Sequence, residues 1–380
     1  MIVTKKVFEL PEFKTEAGAT LKRVRVGWES YGTLNDDRSN AILVTHYFSG
    51  TSHAAGRYDV GDELPGYWDA IIGPGKPLDT ARYFVFSSDT LVNINARDPN
   101  VVTTGPNSID PETGSPYGMT FPVVSIGDFV NVQKALVESL GIRRLKAVVG
   151  PSMGALQAYQ WAVAYPGMVD RIVAAIGAAG GDPFLVAWLN AWGSPIRLDP
   201  KWKGGRYDEG DPPVDGLTAA FEMVILHASH SEWARNTFGR APAVDGKAPA
   251  EALAHRFRIE TAIRDAAAAR AALADANNFL YMVRANQLAA ADPAQITTPT
   301  LVLYSPTDLV FPADWIERTV SQIRANGTHV ETEALPGPHG HLNGLLHIAQ
   351  AGTRIASFLA AEDQLSSRPE HSDPRCSRPR

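Results

Sequence analysis

Along this chain, short apolar runs alternate with stretches of helical period. Two segments open it with every-other-residue alternation, VFELPEF (7–13) and LKRVRVGWESYG (21–32). Their period of two, with a turn at EAG between them, predicts antiparallel edge strands. The next runs, AILVTHYF (41–48) and YFVFSSDTL (83–91), are continuous and rich in β-branched and aromatic residues. Such runs suit strands buried on both faces of a parallel sheet. DFVNVQKALVESLG (128–141) has helical spacing and stops at Gly141. LKAVVG (145–150) reads as a strand, ALQAYQWAVAYP (155–166) as a helix ended by Pro166, and VDRIVAAIGAA (169–179) as another central strand. Strands and helices alternating through short connections predict the α/β class: a mostly parallel central sheet with helices on both faces.

The alternation then breaks. Residues 180–295 hold no convincing strand but several helical stretches, among them GLTAAFEMVILHAS (216–229) and AIRDAAAARAALADA (262–276). The sheet pattern resumes at TLVLYSPTD (300–308), followed by a helix, the strand THVETEAL (328–335) and a terminal helix. A helical block between two strands of one sheet is expected to cap the sheet's C-terminal edge. The expected organisation is therefore a core of residues 1–179 and 296–364, an inserted helical cap of 180–295, and a tail of 365–380. The tail is polar, contains proline and lacks periodicity, so disorder is expected there.

Composition narrows the chemistry. The 380 residues are 44% hydrophobic and 20% charged with a net charge of −6, ordinary for a globular protein with a large core. No basic block is present to neutralise phosphates, so nucleic acid is not an expected partner. The one cysteine, Cys376, lies in the tail, which excludes a disulfide framework or a thiolate metal site. The first residues lack the apolar core of a signal peptide, and no stretch is apolar enough to span a membrane. The expectation is a cytoplasmic protein without a membrane partner.

Gly150-Pro151-Ser152-Met153-Gly154 lies between the strand at 145–150 and the helix at 155–166. In a chain with 32 glycines a Gly-x-Ser-x-Gly run is weak by itself; between strand and helix it has the arrangement of a nucleophile elbow. There the serine adopts a strained backbone, and glycines two positions away let strand and helix pack closely. Its hydroxyl projects at a helix N-terminus, which favours developing negative charge. The bland reading is a tight turn with a capping serine. A serine nucleophile needs a base and the base an orienting acid, in the order Ser, acid, His. Asp308 follows the strand TLVLYSPT, and GPHGHLNG supplies histidine after the next strand. His339 and His341 compete for the base; His341, on the loop just before a helix, is better placed, and His339 beside Pro338 covers the turn. Backbone N–H groups of Phe48 and Met153 are the expected oxyanion donors, the former from the loop HYFSGTSHAAG (46–56). His46 and His53 could touch substrate or hold that loop. No histidine spacing fits a metal ligand set, and no Gly-x-Gly-x-x-Gly follows the first central strand, so neither a metal nor a dinucleotide is expected.

The segments TSHAAG, YWDAIIGPGKPLDTARYFV, TGPNSIDPETGSPYG, VVGPSMGALQAYQWAVAYP and DPKWKGG, with the Asp308 and His341 loops, carry a resemblance. From about residue 7 to 360 the chain resembles the homoserine O-acetyltransferase family of α/β-hydrolase-fold proteins. The resemblance implies a triad of Ser152, Asp308 and His341, oxyanion donors at Phe48 and Met153, and a helical cap over a tunnel that could carry a homodimer interface. It also implies departures. The family has Gly-His-Asp, with the aspartate holding the substrate's ammonium group, where this chain has Gly340-His341-Leu342. A cap arginine that binds the substrate carboxylate corresponds to Gly193, with Arg197 near but out of register. The cap tyrosine corresponds to Tyr207, and the elbow reads Gly-Pro-Ser-Met-Gly-Ala in place of Gly-Gly-Ser-Met-Gly-Gly.

A zwitterion desolvated in a tunnel needs both charges paired, since an unpaired buried charge costs several kcal/mol. With Leu342 and Gly193 at those points, homoserine is expected to bind poorly. The leading expectation is a serine ester hydrolase, taking a small-molecule ester or acyl donor, whose acyl-enzyme on Ser152 is resolved by water and which needs no cofactor. The alternative is an O-acyltransferase with acetyl-CoA as co-substrate, to homoserine or another alcohol. The remaining reading is a non-catalytic binding protein.

Overall fold

A computed structural model describes residues 1–208 and 210–361. The tail expected at 365–380, with Cys376, lies outside the described residues. An eight-stranded sheet organises the rest: β1 (Lys6–Lys14), β2 (Thr20–Tyr31), β3 (Ala41–Val44), β4 (Phe84–Ser88), β5 (Ala147–Pro151), β6 (Ile172–Ala175), β7 (Thr300–Tyr304) and β8 (Val330–Ala334). Their spatial order is β1-β2-β4-β3-β5-β6-β7-β8. β1 and β2 pair antiparallel, as does β2 with β4; every other pairing is parallel.

The continuous apolar runs explain why the central strands sit where they do. Along β3, Ala41 and Leu43 join one apolar cluster and Ile42 and Val44 the other. β6 splits the same way, Ile172 and Ala174 against Val173 and Ala175. With successive side chains on opposite faces, each strand feeds two cores and is buried on both sides. One face is covered by α1 (Ile126–Ser139), α2 (Met153–Ala164) and α8 (Ala313–Ala325) through Phe129, Tyr159 and Ile316. α10 (Gly352–Ala360) covers the other with Ile355 and Phe358, beside the fully buried Trp68 and Ile71. Between these two helices α9 (Asn343–Leu346) makes a single turn.

Residues after β6 form α3 (Pro183–Leu198), α4 (Val214–Ala228), α5 (Ser231–Thr237), α6 (Arg258–Leu273) and α7 (Ala276–Gln287). Leu189 and Trp192 of α3, Phe221 of α4 and Phe279 of α7 belong to the same apolar cluster as the α1–α2 face of the sheet. Among the described residues no helix is long and apolar enough to cross a membrane.

The strand order reverses between β4, β3 and β5, and in open α/β sheets such a switch point at the C-terminal edge opens a crevice for ligands. The loop after β3 passes directly beside the turn after β5. A buried ionic cluster holds that loop from behind. Glu29 of β2 is fully buried and accepts from the Tyr31 hydroxyl at 3.1 Å, the Tyr58 hydroxyl at 2.5 Å and the Lys5 ammonium at 2.9 Å. His53 Nδ1 lies 3.0 Å from Oε2, the oxygen that Tyr31 also bonds, while Tyr58 and Lys5 take Oε1. Asp89 shares Lys5 at 3.4 Å and accepts the Ser52 N–H at 2.7 Å. Burial would raise the Glu29 carboxyl, but the hydrogen bond from His53, the Lys5 charge and the Tyr58 hydroxyl outweigh it and bring it down to about 2.

A carboxyl depressed in the folded state stabilises it fully above its unfolded value, and that stability is lost as pH falls toward the folded value. Thermal melts of the wild type should therefore lose stability between pH 4.5 and about 2, Glu29 contributing roughly 3 kcal/mol of that loss. In Glu29→Gln the melting temperature should be lower at neutral pH and fall less across the same window. Equal acid slopes for the two proteins would remove Glu29 from this role.

Candidate active site

The turn between β5 and α2 carries Ser152 at φ 57° and ψ −119°, outside the regions that ordinary side chains favour. Neighbouring bonds impose this: the Ser152 N–H donates to the Ala175 carbonyl at 2.8 Å, and the Ser152 carbonyl accepts from Ala155 at 2.8 Å and Leu156 at 3.2 Å. The flanking glycines are needed for approach. A Cβ at Gly150 would lie 2.1 Å from Thr45 Oγ1, and one at Gly154 would lie 2.3 Å from the Thr45 carbonyl oxygen. The sharp turn and the helix that follows aim the serine at the C-terminal edge of the sheet.

Asp308 and His341 arrive there from the loops after β7 and β8. His341 Nε2 is 2.9 Å from Ser152 Oγ, and His341 Nδ1 is 2.7 Å from Asp308 Oδ2. A carboxylate only accepts, so Nδ1 carries the proton and Nε2 is left to accept from the serine hydroxyl. The other carboxylate oxygen accepts from the Val310 and Phe311 N–H groups at 2.8 and 3.0 Å, which fixes Asp308 in the turn. Phe311 stacks on the imidazole with ring centroids 5.8 Å apart. All three polar residues are buried.

Phe48 sits in the loop after β3, its ring edge-on to Trp192 and Phe279, and its N–H makes no backbone hydrogen bond among the described residues. Met153 opens α2, where a backbone N–H has no carbonyl one turn back to meet. A cavity of about 100 Å³ adjoins Ser152 and His341, walled mainly by Ile176, Trp192, Phe221, Val224, Leu342 and Leu345. Arg270 of α6 is the one Lys or Arg among the described residues on its wall, with Ser49 Oγ at 3.4 Å; no carboxylate lines it.

Other expected positions fall elsewhere. Tyr207 is not among the cavity's lining residues; its hydroxyl donates to Asp275 Oδ2 at 2.6 Å, a partner 68 residues away. Leu342 does line the cavity, next to His341. At Gly193 a Cβ would meet Leu280 at 2.8 Å and the Arg197 guanidinium at 2.9 Å, and Arg197 is bound to Asn190 and Ser194. His46 is buried with Nδ1–H on the Tyr47 carbonyl at 2.8 Å, and His53 serves the Glu29 cluster. His339 pairs with His347 at 3.0 Å. Among the described residues no group of three or more His, Cys, Asp or Glu could hold a metal ion.

Sequence reading missed the cap side chains that build the wall, Trp192 and Phe221, because the rotation of a helix about its axis is set by packing. It also missed His227 of α4, whose Nε2–H donates to the Leu309 carbonyl at 3.0 Å and so ties the cap to the Asp308 turn. Burial, and the charge of His341, hold this imidazole's pKa below the usual value. A histidine at the buried end of an amphipathic helix was the available signal.

Known proteins place this geometry in a family. Residues 65–343 match the alpha/beta hydrolase fold family. The homoserine O-acetyltransferase of Methanococcoides burtonii is 38% identical over 358 residues, covering 92% of this chain and 72% of that protein. The crystal structure of esterase E22 superposes with a TM-score of 0.90 at 46% identity, covering 94% of this chain and all of the other. The homoserine O-acetyltransferase of Bacillus anthracis gives the same TM-score at 36% identity, covering 95% of this chain and 99% of its own. The chain therefore belongs to the homoserine O-acetyltransferase-like family of α/β-hydrolase-fold proteins, as an acyltransferase or an esterase.

Proposed function

We infer that this chain is a serine ester hydrolase that forms an acyl-enzyme on Ser152 and releases it to water. The observation that carries this reading is the cavity wall at Leu342: beside the base stands an apolar side chain, and no carboxylate is present to pair an ammonium group. Leaving a charge unpaired in such a site costs several kcal/mol, so a zwitterionic acceptor is disfavoured. The 46% identity to esterase E22 supports the same choice.

The chemistry follows from the hydrogen bonds. Ser152 Oγ attacks the acyl carbonyl carbon as its proton passes to His341 Nε2. Asp308 holds the other imidazole N–H and stabilises the cation that forms. The carbonyl oxygen becomes an oxyanion that accepts from the Phe48 and Met153 N–H groups, with the α2 N-terminus adding its dipole. As the tetrahedral species collapses, the ester C–O bond breaks and the alcohol leaves with the proton from Nε2. Water then gives a proton to Nε2 and adds to the acyl carbon; the bond from that carbon to Oγ breaks as Nε2 returns the proton to Oγ, freeing the acid and Ser152. The cavity is well below the 300–1,000 Å³ of drug-sized pockets, which suits short acyl groups.

A second reading has its own support in the relatives named homoserine O-acetyltransferase: the same acyl-enzyme, loaded from acetyl-CoA and resolved by an alcohol. The two differ only in what attacks the acyl-enzyme.

Three measurements separate the possibilities. Ser152→Ala should lower kcat/KM for p-nitrophenyl acetate by at least about 10³-fold with an unchanged melting curve; undiminished acyl turnover would remove the acyl-enzyme on Ser152. Across p-nitrophenyl esters, kcat/KM should peak at two to four acyl carbons, and a rise toward long chains would contradict the short-acyl assignment. With p-nitrophenyl acetate as donor, acetate should be the main product whether or not homoserine is added, and acetyl-CoA should turn over slowly. CoA release that appears only when an alcohol is present would establish the transferase instead.

A further inference from the structure

Inside α2, on a helix buried almost all round, stands a glutamine that the mechanism above leaves unused. Gln157 is fully buried, and so in effect are its neighbours Gln133 of α1 and Trp161 of α2. The Trp161 indole N–H donates to Gln133 Oε1 at 2.9 Å, and Gln133 Nε2 donates to Gln157 Oε1 at 2.7 Å. Gln157 Nε2 then donates to two backbone carbonyls at once, His46 at 3.2 Å and Met153 at 3.3 Å.

The direction of this chain is fixed at both ends. An indole N–H can only donate and a carbonyl can only accept, so each amide has one orientation that satisfies its partners. Flipping either one sets donor against donor or acceptor against acceptor in the interior and leaves buried polar groups unpaired. The Gln157 nitrogen is thereby locked onto the two carbonyls.

Those carbonyls sit at informative places. His46 belongs to the loop after β3, and its carbonyl is one peptide before the Phe48 N–H. Met153 opens α2, and its carbonyl is one peptide after its own N–H. Thr45 crosses the same gap in the other direction, its Oγ1 donating to the Gly154 carbonyl at 2.8 Å. Among the described residues, Gln157 bonds both backbone segments with a single group. An oxyanion hole requires its two donors within about 2.7–3.1 Å of one developing charge, so the spacing of these segments matters to a few tenths of an ångström.

We propose that Gln157, oriented by Gln133 and Trp161, is a positioning residue that sets the separation of the Phe48 and Met153 N–H groups. The proposal rests on the reading of those two groups as oxyanion donors. Gln157 touches neither substrate nor the reacting atoms. Its effect falls on the stabilisation of the transition state and leaves ground-state binding alone.

The test uses two variants of the full chain with p-nitrophenyl acetate, assayed well below their melting temperatures. Gln157→Leu removes the tether and should lower kcat about 10- to 100-fold with KM within about twofold, a part of the loss seen when an oxyanion donor is deleted. Gln157→Glu carries an internal control. Protonated, its carboxylic acid reproduces the amide: C=O accepts from Gln133 and O–H donates to a carbonyl. Ionised, it sets a carboxylate against the His46 and Met153 carbonyls. The ratio of kcat for Gln157→Glu to wild type should therefore fall as pH rises, while the ratio for Gln157→Leu stays flat.

The titratable groups nearest this chain do not distort the ratio. Burial holds the His46 imidazole's pKa down, and on α1 the half-buried Lys134 pairs with Glu138; both are common to variant and wild type. A merely structural role would lower the melting temperature without a pH-dependent kcat ratio. The proposal is overturned by a Gln157→Leu enzyme with kcat within twofold of wild type, or by a Gln157→Glu ratio that does not vary with pH. The pH ratio needs only Gln157→Glu and the wild type, so it stands even where Gln157→Leu does not fold. Loss of the whole acyl-enzyme reading is a separate result, seen as retained turnover in Ser152→Ala.

Discussion

The close crossing of the end of β3 over the turn between β5 and α2 is the constraint on which the site depends. Thr45 lies against both glycines of that turn, at distances that leave no room for a Cβ, while its N–H donates to the Val149 carbonyl at 3.0 Å. This approach lets α2 begin immediately after β5 and leaves Ser152 in a backbone conformation costing about 1–3 kcal/mol. Buried hydrogen bonds on both sides of the turn hold the serine there. A side chain at Gly150 or Gly154 would part the strand from the helix and release the strain together with the geometry.

From that crossing the sheet order does the rest. β3 lies between β4 and β5, so the loop that carries Phe48 is a neighbour of the elbow although about a hundred residues separate them in sequence. β7 and β8 are the last two strands, and their loops bring Asp308 and His341 to the same edge. Each oxygen of the Asp308 carboxylate is used, Oδ1 by two backbone N–H groups and Oδ2 by His341. Burying a carboxylate is tolerable when it is paired and fully hydrogen-bonded. The cap joins this arrangement through His227, whose bond to the Leu309 carbonyl links α4 to the turn that holds the acid.

The sheet and the Ser152–His341–Asp308 chain were legible in the sequence because they rest on local signals: continuous β-branched runs, a glycine-flanked serine between strand and helix, and acid and histidine after successive strands. What was illegible depends on partners far along the chain. Tyr207 looks like a substrate contact until Asp275 claims its hydroxyl. Glu29 lies in an alternating strand where a charge reads as exposed, but the alternation changes phase between Val26 and Gly27, downstream of Arg23 with its φ of 52°, and turns Glu29 inward. Gln157 is a lone polar residue in an apolar helix, a sign that something polar must face it, yet no pattern names the His46 carbonyl as the partner.

The acceptor question turns on an asymmetry between water and alcohols. In the proposed mechanism, with an acyl group on Ser152, water needs only the imidazole nitrogen at the cavity's end as its base. A zwitterionic amino-acid alcohol needs that nitrogen and, in addition, an anion for its ammonium and a cation for its carboxylate. Among the described residues on this cavity wall Arg270 is the one fixed side-chain cation, and no fixed anion is present. Leucine at position 342 therefore penalises a charged alcohol by the cost of an unpaired buried charge and leaves water untouched. On the proposed reading hydrolysis needs no special water site: it is what remains when the pairing groups that would favour the competing acceptor are lacking beside Ser152 and His341.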